Sequence, residues 1–407
     1  MTAKTARVPD PTLFSTGPVS KLLAAIGGEG EEIRVVGGAV RNAMLRIAPS
    51  DFDCATTTLP DETIRRATRA GFRTIPTGIE HGTVTVLVDD KPFEVTTLRA
   101  DIATDGRRAT VRFGRDFEAD AQRRDFTINA LTADADGVVT DYVGGLDDLA
   151  ARRVRFIGDA GQRIREDYLR ILRLFRFHAT YGEGPVDRAA LIAAIRERDG
   201  LDILSRERVR SELMKLMKAP RALAVLEEMS ETGFATRILG GATNLARLEK
   251  GLEESGVSLS AAQRLGLFAV ECAEDVERLR AKLALSNEET ETLARIARVS
   301  ETLRASGYRP TQRALRELAY RLGREIAPAA HAILAAADVD ASEASALSGW
   351  TPPDLPWRGA DALAAGASPG PEIGAWLARA EALWIDEGFP SGSEALERIW
   401  AKARPVA

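Results

Sequence analysis

Sulfur and imidazole are scarce in this chain: 407 residues hold two cysteines and three histidines. Cys54 and Cys272 lie far apart and form no metal-ligand spacing, which is the usage of a reducing cytosol. His81, His178 and His331 are scattered, which excludes a histidine-cluster metallohydrolase domain. Long hydrophobic runs are also missing. Nothing approaches the roughly 18 apolar residues of a membrane span, and residues 1–16 lack the apolar segment of an export signal, so the expected location is cytoplasmic. Nor is there a positive net charge. Lys and Arg number 55 against 60 Asp and Glu, a formal balance of −5, so the chain as a whole does not advertise nucleic-acid binding. The exception is local: residues 150–220 carry 16 Arg or Lys against 10 Asp or Glu. Such an excess suits a phosphate backbone, and equally an ordinary salt-bridged helical face.

What is present points to an α+β head followed by an all-helical remainder. The length implies two to four domains. Strand-like runs occur near Ile33, Asp53, residues 71–75, Thr83 and Glu94, and helical Ala, Leu and Arg spacing dominates after Gly144-Gly145-Leu146. The expected organisation is a head at 1–145 with a small mixed sheet flanked by helices, a helical neck at 146–220, and a helical body and tail at 221–407. A stretch rich in Pro, Gly and Ala at 348–373 reads as irregular.

The head carries the chemistry. Ile33 to Val36 reads as a buried strand ending in Gly37-Gly38, where a backbone without Cβ atoms turns sharply and its N–H groups can approach an oxyanion. A helix from Val40 to Ile47 would open on that turn, and Arg41 would add a fork of donors. Taken alone, this is as readily a strand-to-helix turn with no ligand. Asp51 and Asp53 follow ten residues on. In a strand both carboxylates would share a face, with Phe52 turned to the core. Two adjacent carboxylates suit a divalent cation with hard oxygen ligands, Mg²⁺ above all. Residues 83–88 and 92–99 read as a hairpin across Asp89-Asp90-Lys91, placing Glu94 in mid-strand, aimed either at solvent or at the metal.

Two further segments complete the set. Arg123-Arg124-Asp125-Phe126-Thr127-Ile128-Asn129 combines guanidiniums, a carboxylate and an amide able to grip phosphate and ribose, while Asp125 could also cap a helix running to Ala130. Residues 162–177, read as one helix, bring Arg163, Glu166, Arg170 and Arg173 into one stripe with Asp167 beside it and Arg176 extending it. An Asp and an Arg on one helix edge can hydrogen-bond the edge of a nucleobase. The same pattern is also a common salt-bridge ladder.

In this order, G-G-x-V-R, D-x-D, R-R-D-F-T-I-N-A-L, D-Y-V-G-G-L-D-D-L, E-D-x-x-R-x-x-R and Arg208-Val-Arg-Ser-Glu-Leu resemble the tRNA nucleotidyltransferase and poly(A) polymerase family of bacteria and eukaryotes. The match covers about the first 220 residues. Beyond them it is looser, through Gly359-Ala-Asp361-Ala-Leu and Pro369-Gly370-Pro371. The resemblance implies addition of C, C and A to the 3′ end of tRNA from CTP and ATP, with no nucleic-acid template, no membrane and no obligate protein partner. Asp51 and Asp53 would hold Mg²⁺, and Gly37, Gly38 and Arg41 would meet the nucleotide. Arg124, Asp125 and Asn129 would address ribose and phosphate, Asp167 and Arg170 the base edge, and Arg173 and Arg176 the triphosphate. Residues 101–113, with Asp105-Gly106-Arg107-Arg108, resemble the flexible loop that switches C to A addition. Asn42 departs from the family's usual Asp, as do Met44-Leu45-Arg46 from a Leu-Leu-Gly turn, and the His-Asp phosphohydrolase motifs of some members are absent. The alternatives are a poly(A) polymerase, a non-catalytic RNA-binding module, and a dinucleotide-binding oxidoreductase, which would want G-x-G-x-x-G and has no use for the D-x-D pair.

Overall fold

The computed structural model describes residues 3–49, 51–76, 78–105, 108–253 and 258–404, without the side chains of 81, 100–105 and 108–112. The chain divides into two compact units, Met1–Val225 and Leu226–Ala407. The stretches expected as head and neck both fall in the first.

The first unit is built on a mixed sheet, which bears out the α+β expectation. Its strands are β1 (Lys4–Arg7), β2 (Ile33–Val36), β3 (Asp53–Thr56), β4 (Arg73–Ile75), β5 (Thr83–Val88), β6 (Lys91–Thr97), β9 (Thr132–Ala133) and β10 (Val138–Asp141). They lie in the order β1-β10-β9-β2-β3-β6-β5-β4, and β3 with β6 is the parallel pair. Every strand expected from β-branched patterning is present. The edge strand β1 and the short β9 and β10 carry too few apolar residues to announce themselves.

The β5–β6 hairpin is tighter than expected. Val88 pairs with Lys91, which leaves Asp89 and Asp90 alone in the turn, both at positive φ, 50° and 59°. That geometry matches the right-handed twist of the flanking strands. The expected loop at 101–113 is largely a two-stranded ribbon of β7 (Arg99–Asp105) and β8 (Arg108–Phe113), and Gly106 and Arg107 lie outside the described residues.

The glycine turn forms as expected, but the helix after it, Gly38–Met44, ends earlier than Ile47. Leu45 closes it, and Arg46 follows at φ 58°. Gly37 has φ 69° and ψ −120°, a conformation that side chains forbid.

Two expectations about helices are corrected. Asp125 does not cap a helix to Ala130; a single 3₁₀ turn, Thr127–Asn129, follows Phe126, and Asp125 instead accepts the Phe126 N–H at 2.8 Å. Residues 162–177 are two helices, Ala160–Glu166 and Leu169–Tyr181, parted at Asp167 with φ −158°. The break is held from both sides. Asp167 accepts the Leu169 N–H at 3.1 Å, opening the second helix. The Tyr168 ring lies so close to Gly200 that a Cβ there would stand 1.9 Å from it.

The D-Y-V-G-G-L-D-D-L segment is a structural device. Buried Asp141 accepts four consecutive backbone N–H groups, those of Val143, Gly144, Gly145 and Leu146, at 2.9 to 3.0 Å. Buried Asp148 takes the Thr127 hydroxyl at 2.6 Å together with Arg153 and Arg155. These bonds fix the end of the sheet against the Thr127 turn.

The second unit is helical throughout. A core of Leu267, Ile296, Leu303, Leu315 and Ile333 packs its earlier helices, and Trp376 stacks on Trp400 in the later ones. The stretch at 348–373, expected to be irregular, begins in the 3₁₀ turn Leu347–Gly349, includes the helix Gly359–Ala364 and runs into the helix Pro371–Asp386, with loop between them.

Candidate active site

One cavity of about 710 Å³ gathers most of the residues singled out by sequence: Gly37, Gly38, Arg41, Asp51, Asp53, Arg124, Asp125, Asn129, Asp167, Arg170, Arg173 and Arg176. Seven arginines and Lys215 line it against four aspartates, so its field favours an anion carrying several charges.

The acidic end stands at the start of β3. Asp53 is the first residue of that strand and Asp51 precedes it; the pair therefore spans the strand's entrance rather than its middle. Phe52 turns the other way, half-buried with its ring 6.1 Å from Phe14 and 6.3 Å from Phe93. Glu94 is the register partner of Asp53 on the parallel strand β6, so the two share a face. It is exposed and lies outside the cavity lining. Partial burial, then the neighbouring charges of Glu94 and Asp51, push the Asp53 carboxyl above the ordinary carboxylate range, with Arg124 opposing. Such a cluster is short of a cation. Among the described residues no three His, Cys, Asp or Glu side chains are gathered as a complete ligand set. Two carboxylates with room for water and substrate oxygens are the donor set that Mg²⁺ accepts.

Arg41 is not the free fork that its position after the glycines suggested. It is buried, 6% exposed, and its guanidinium stacks on the Tyr181 ring at 3.9 Å. It donates to Asn129 Oδ1 at 2.5 Å, to the Tyr181 hydroxyl at 2.6 Å and to Asn42 Oδ1 at 3.0 Å. The amide at Asn42 thus keeps a contact to the arginine without a charge. Asn129 passes the chain on, donating to Asp125 Oδ1 at 3.2 Å, and Asp125 Oδ2 receives Arg173 Nε at 2.7 Å. Burial works against the Asp125 charge, but Arg173 outweighs it and holds the carboxyl low. The run Arg41–Asn129–Asp125–Arg173 ties the glycine turn to the Leu169–Tyr181 helix.

The remaining arginines are anchored in the same manner. Arg170 donates to Glu166 Oε2 at 2.5 Å and to the Arg163 carbonyl at 2.7 Å. Arg176 donates to Glu212 Oε2 at 2.5 Å with its head over the Phe177 ring, 4.1 Å away. Arg124 donates to Asp120 Oδ2 at 3.0 Å. A guanidinium has five N–H donors, so an anchor on one edge leaves others for a ligand. Asp167 pairs with Arg208 at 2.6 Å, not with Arg170.

Sequence reasoning missed Asp120 and Tyr181 and gave no role to Arg208 or Glu212, both within the quoted Arg208-Val-Arg-Ser-Glu-Leu segment. Arg208, Glu212 and Lys215 repeat at helical spacing on Arg206–Met217, a signal that could have placed them on one face. Asp120 stands three and four residues before Arg123 and Arg124, a spacing that could have shown it, whereas Tyr181 has no local signature because its partner Arg41 is 140 residues away.

The chain is similar to known proteins in sequence and fold. Residues 33–155 match the Poly A polymerase head domain, and residues 188–244 match the family described as "Probable RNA and SrmB-binding site of polymerase A". CCA tRNA nucleotidyltransferase 1, mitochondrial, of Mus musculus is 33% identical over 389 residues, 93% of this chain and 88% of that protein. The Bacillus stearothermophilus CCA-adding enzyme, solved in complex with CTP, superposes with a TM-score of 0.72 at 25% identity over 95% of this chain and 98% of that one. The Thermotoga maritima CCA-adding enzyme complexed with tRNA shares the fold, with a TM-score of 0.71 at 18% identity over 98% of this chain and 99% of that one.

Proposed function

The chain belongs to the CCA-adding tRNA nucleotidyltransferase family, and from that premise and the site we propose that it adds C, C and A to the 3′ end of tRNA from CTP and ATP. The carrying observation is the single cavity in which a carboxylate pair faces seven anchored arginines.

The RNA 3′-hydroxyl attacks the α-phosphate, its bond to phosphorus forms, and pyrophosphate leaves. Asp51 and Asp53 are the residues that would hold Mg²⁺, which when bound lowers the pKa of the hydroxyl and offsets developing charge. No side chain in the cavity stands out as a general base, so positioning and electrostatics carry the rate. Arg173 and Arg176 bind the triphosphate with the Phe177 ring beneath them. Arg124, Asp125 and Asn129 fix ribose and phosphate, and Gly37 and Gly38 let the backbone approach. Arg41 positions Asn129 rather than reaching out itself. Asp167 and Arg170, at the helix break, present an acceptor and donors to the base edge, a template made of protein. Arg208 and Glu166 set the orientation of those two groups. The second unit supplies the tRNA-binding body. A cytoplasmic location belongs to the same proposal and rests on the two distant, free cysteines; among the described residues no helix is long and apolar enough to cross a membrane.

The test is incorporation from CTP alone, ATP alone and both, on tRNA lacking its CCA end and on an unstructured RNA. CCA completion on the tRNA is the expected product. A long A-only tail on either RNA would instead make the chain a poly(A) polymerase, and no incorporation would leave an RNA-binding module.

A further inference from the structure

Six of the seven arginines in the cavity rest on a carboxylate, as Arg173 does on Asp125. Arg41 is held by neutral groups instead. Its hydrogen-bond partners among the described residues are the amides of Asn42 and Asn129 and the hydroxyl of Tyr181. Two rings cover it, with the guanidinium 3.9 Å from the centre of Tyr181 and 5.3 Å from that of Phe177. Phe177 and Tyr181 stand one turn apart on the helix Leu169–Tyr181, their rings stacked at 5.9 Å, so both offer a face to the same cation. A buried guanidinium without a carboxylate relies on such contacts for its direction.

What Arg41 orients is Asn129. A guanidinium only donates, so Asn129 turns Oδ1 toward it, 2.5 Å from Arg41 Nη1. An ionised carboxylate only accepts, so Asn129 Nδ2 faces Asp125 Oδ1 at 3.2 Å. Turning the amide over would set N–H against N–H on one side and oxygen against carboxylate on the other. The amide is therefore locked, and its second Nδ2 hydrogen is left for a ligand in the cavity that Asn129 lines. Tyr181 is not part of that lining; it stands behind Arg41. We propose that Tyr181 is a positioning residue for ribonucleotide selection: it holds Arg41, Arg41 holds the Asn129 amide, and the Asn129 N–H donates to a sugar hydroxyl of the incoming CTP or ATP. The inference rests on the reading of the chain as a nucleotidyltransferase. A deoxynucleotide leaves the locked donor without a partner and binds more weakly. With Tyr181 removed the amide can turn, and the preference fades although no atom of Tyr181 meets the nucleotide.

The experiment compares the full chain with Tyr181→Phe, which keeps the ring, and Tyr181→Leu, which removes ring and hydroxyl. On tRNA lacking CCA, KM and kcat are measured for CTP, 2′-deoxy-CTP and 3′-deoxy-CTP, the two analogues identifying which hydroxyl is bound. Thermal unfolding checks folding, and Tyr181→Phe carries the test if Tyr181→Leu does not fold. Wild type should favour CTP over one analogue by about tenfold, the size of one hydrogen bond. Tyr181→Leu should lose that preference, with the CTP KM raised about tenfold and the analogue KM within about twofold of wild type. Tyr181→Phe should lose about threefold, since its ring still covers the guanidinium. In Asn129→Ala the preference should already be gone, and adding Tyr181→Leu should change it no further, because the two act in one chain of contacts. A preference unchanged in both Tyr181 variants, KM values that rise in step for CTP and both analogues, or a wild type that takes both analogues as readily as CTP overturns the role of Tyr181 while leaving the function standing. Failure of the wild-type chain to extend tRNA overturns the functional reading, and this role with it.

Discussion

Replacing Asp120 with Asn tests whether the arginine cavity is held open by buried carboxylates. Asp120 sits on the helix Phe117–Gln122, 3% exposed, and serves two arginines at once. Oδ1 accepts Arg123 Nε at 2.8 Å; Oδ2 accepts Arg124 Nε at 3.1 Å and Nη2 at 3.0 Å. Arg124 continues to the glycine turn, where its Nη1 lies 3.4 Å from the place a Cβ on Gly37 would occupy. Removing one partner of a buried ion pair costs about 3–5 kcal/mol. Here the two arginine side chains keep about a fifth of their surface exposed, and Asn retains one acceptor oxygen, so about 2–3 kcal/mol is expected. Burial works against the Asp120 charge, yet Arg124 and Arg123 outweigh it and hold the carboxyl below the ordinary range. Its stabilisation is therefore complete above the unfolded carboxylate pKa of about 4 and fades as pH falls through the lower folded value. Urea unfolding of wild type and Asp120→Asn should differ at pH 7 and converge in acid. The CTP KM of the variant should rise, because Arg124 loses its anchor. Equal stability at pH 7 together with an unchanged CTP KM would refute the reasoning.

Asp53→Asn should abolish incorporation yet, with a chelator present, raise the unfolding midpoint at neutral pH. The raised carboxyl of Asp53 means the folded state holds its proton more tightly than the unfolded chain, so ionisation costs stability as pH rises through that value; a lowered midpoint contradicts this. Added Mg²⁺ should stabilise wild type more than this variant, as thermal shift would show, if Asp53 is a ligand. Gly37→Ala should cost about 1–3 kcal/mol, because the residue must adopt φ 69° and ψ −120°, and circular dichroism melting near wild type would count against strain at the turn. Asp167→Ala should relax the choice of CTP and ATP over UTP and GTP, and unchanged incorporation ratios would discard its role in reading the base.

The strand into Gly37-Gly38, the D-x-D pair, the β5–β6 hairpin and the change from mixed to helical texture after the head were all legible in the chain, because each rests on neighbours a few residues apart. β-branched alternation, backbone freedom at glycine and adjacent like charges are local properties, and most of the residues they single out line one cavity. What each residue does there was not local. Arg41 looked like a reaching donor until Tyr181, 140 residues away, was found beneath it. The arginine stripe looked continuous until Gly200 admitted the Tyr168 ring and broke the helix at Asp167. Glu212 lies in a recognised segment, but its partner Arg176 is 36 residues away, so its task of orienting an arginine is defined by that pairing and not by its own spacing. Composition and periodicity determine which side chains a short segment can present; only long-range packing decides which of their donors are already spent and which remain for a ligand.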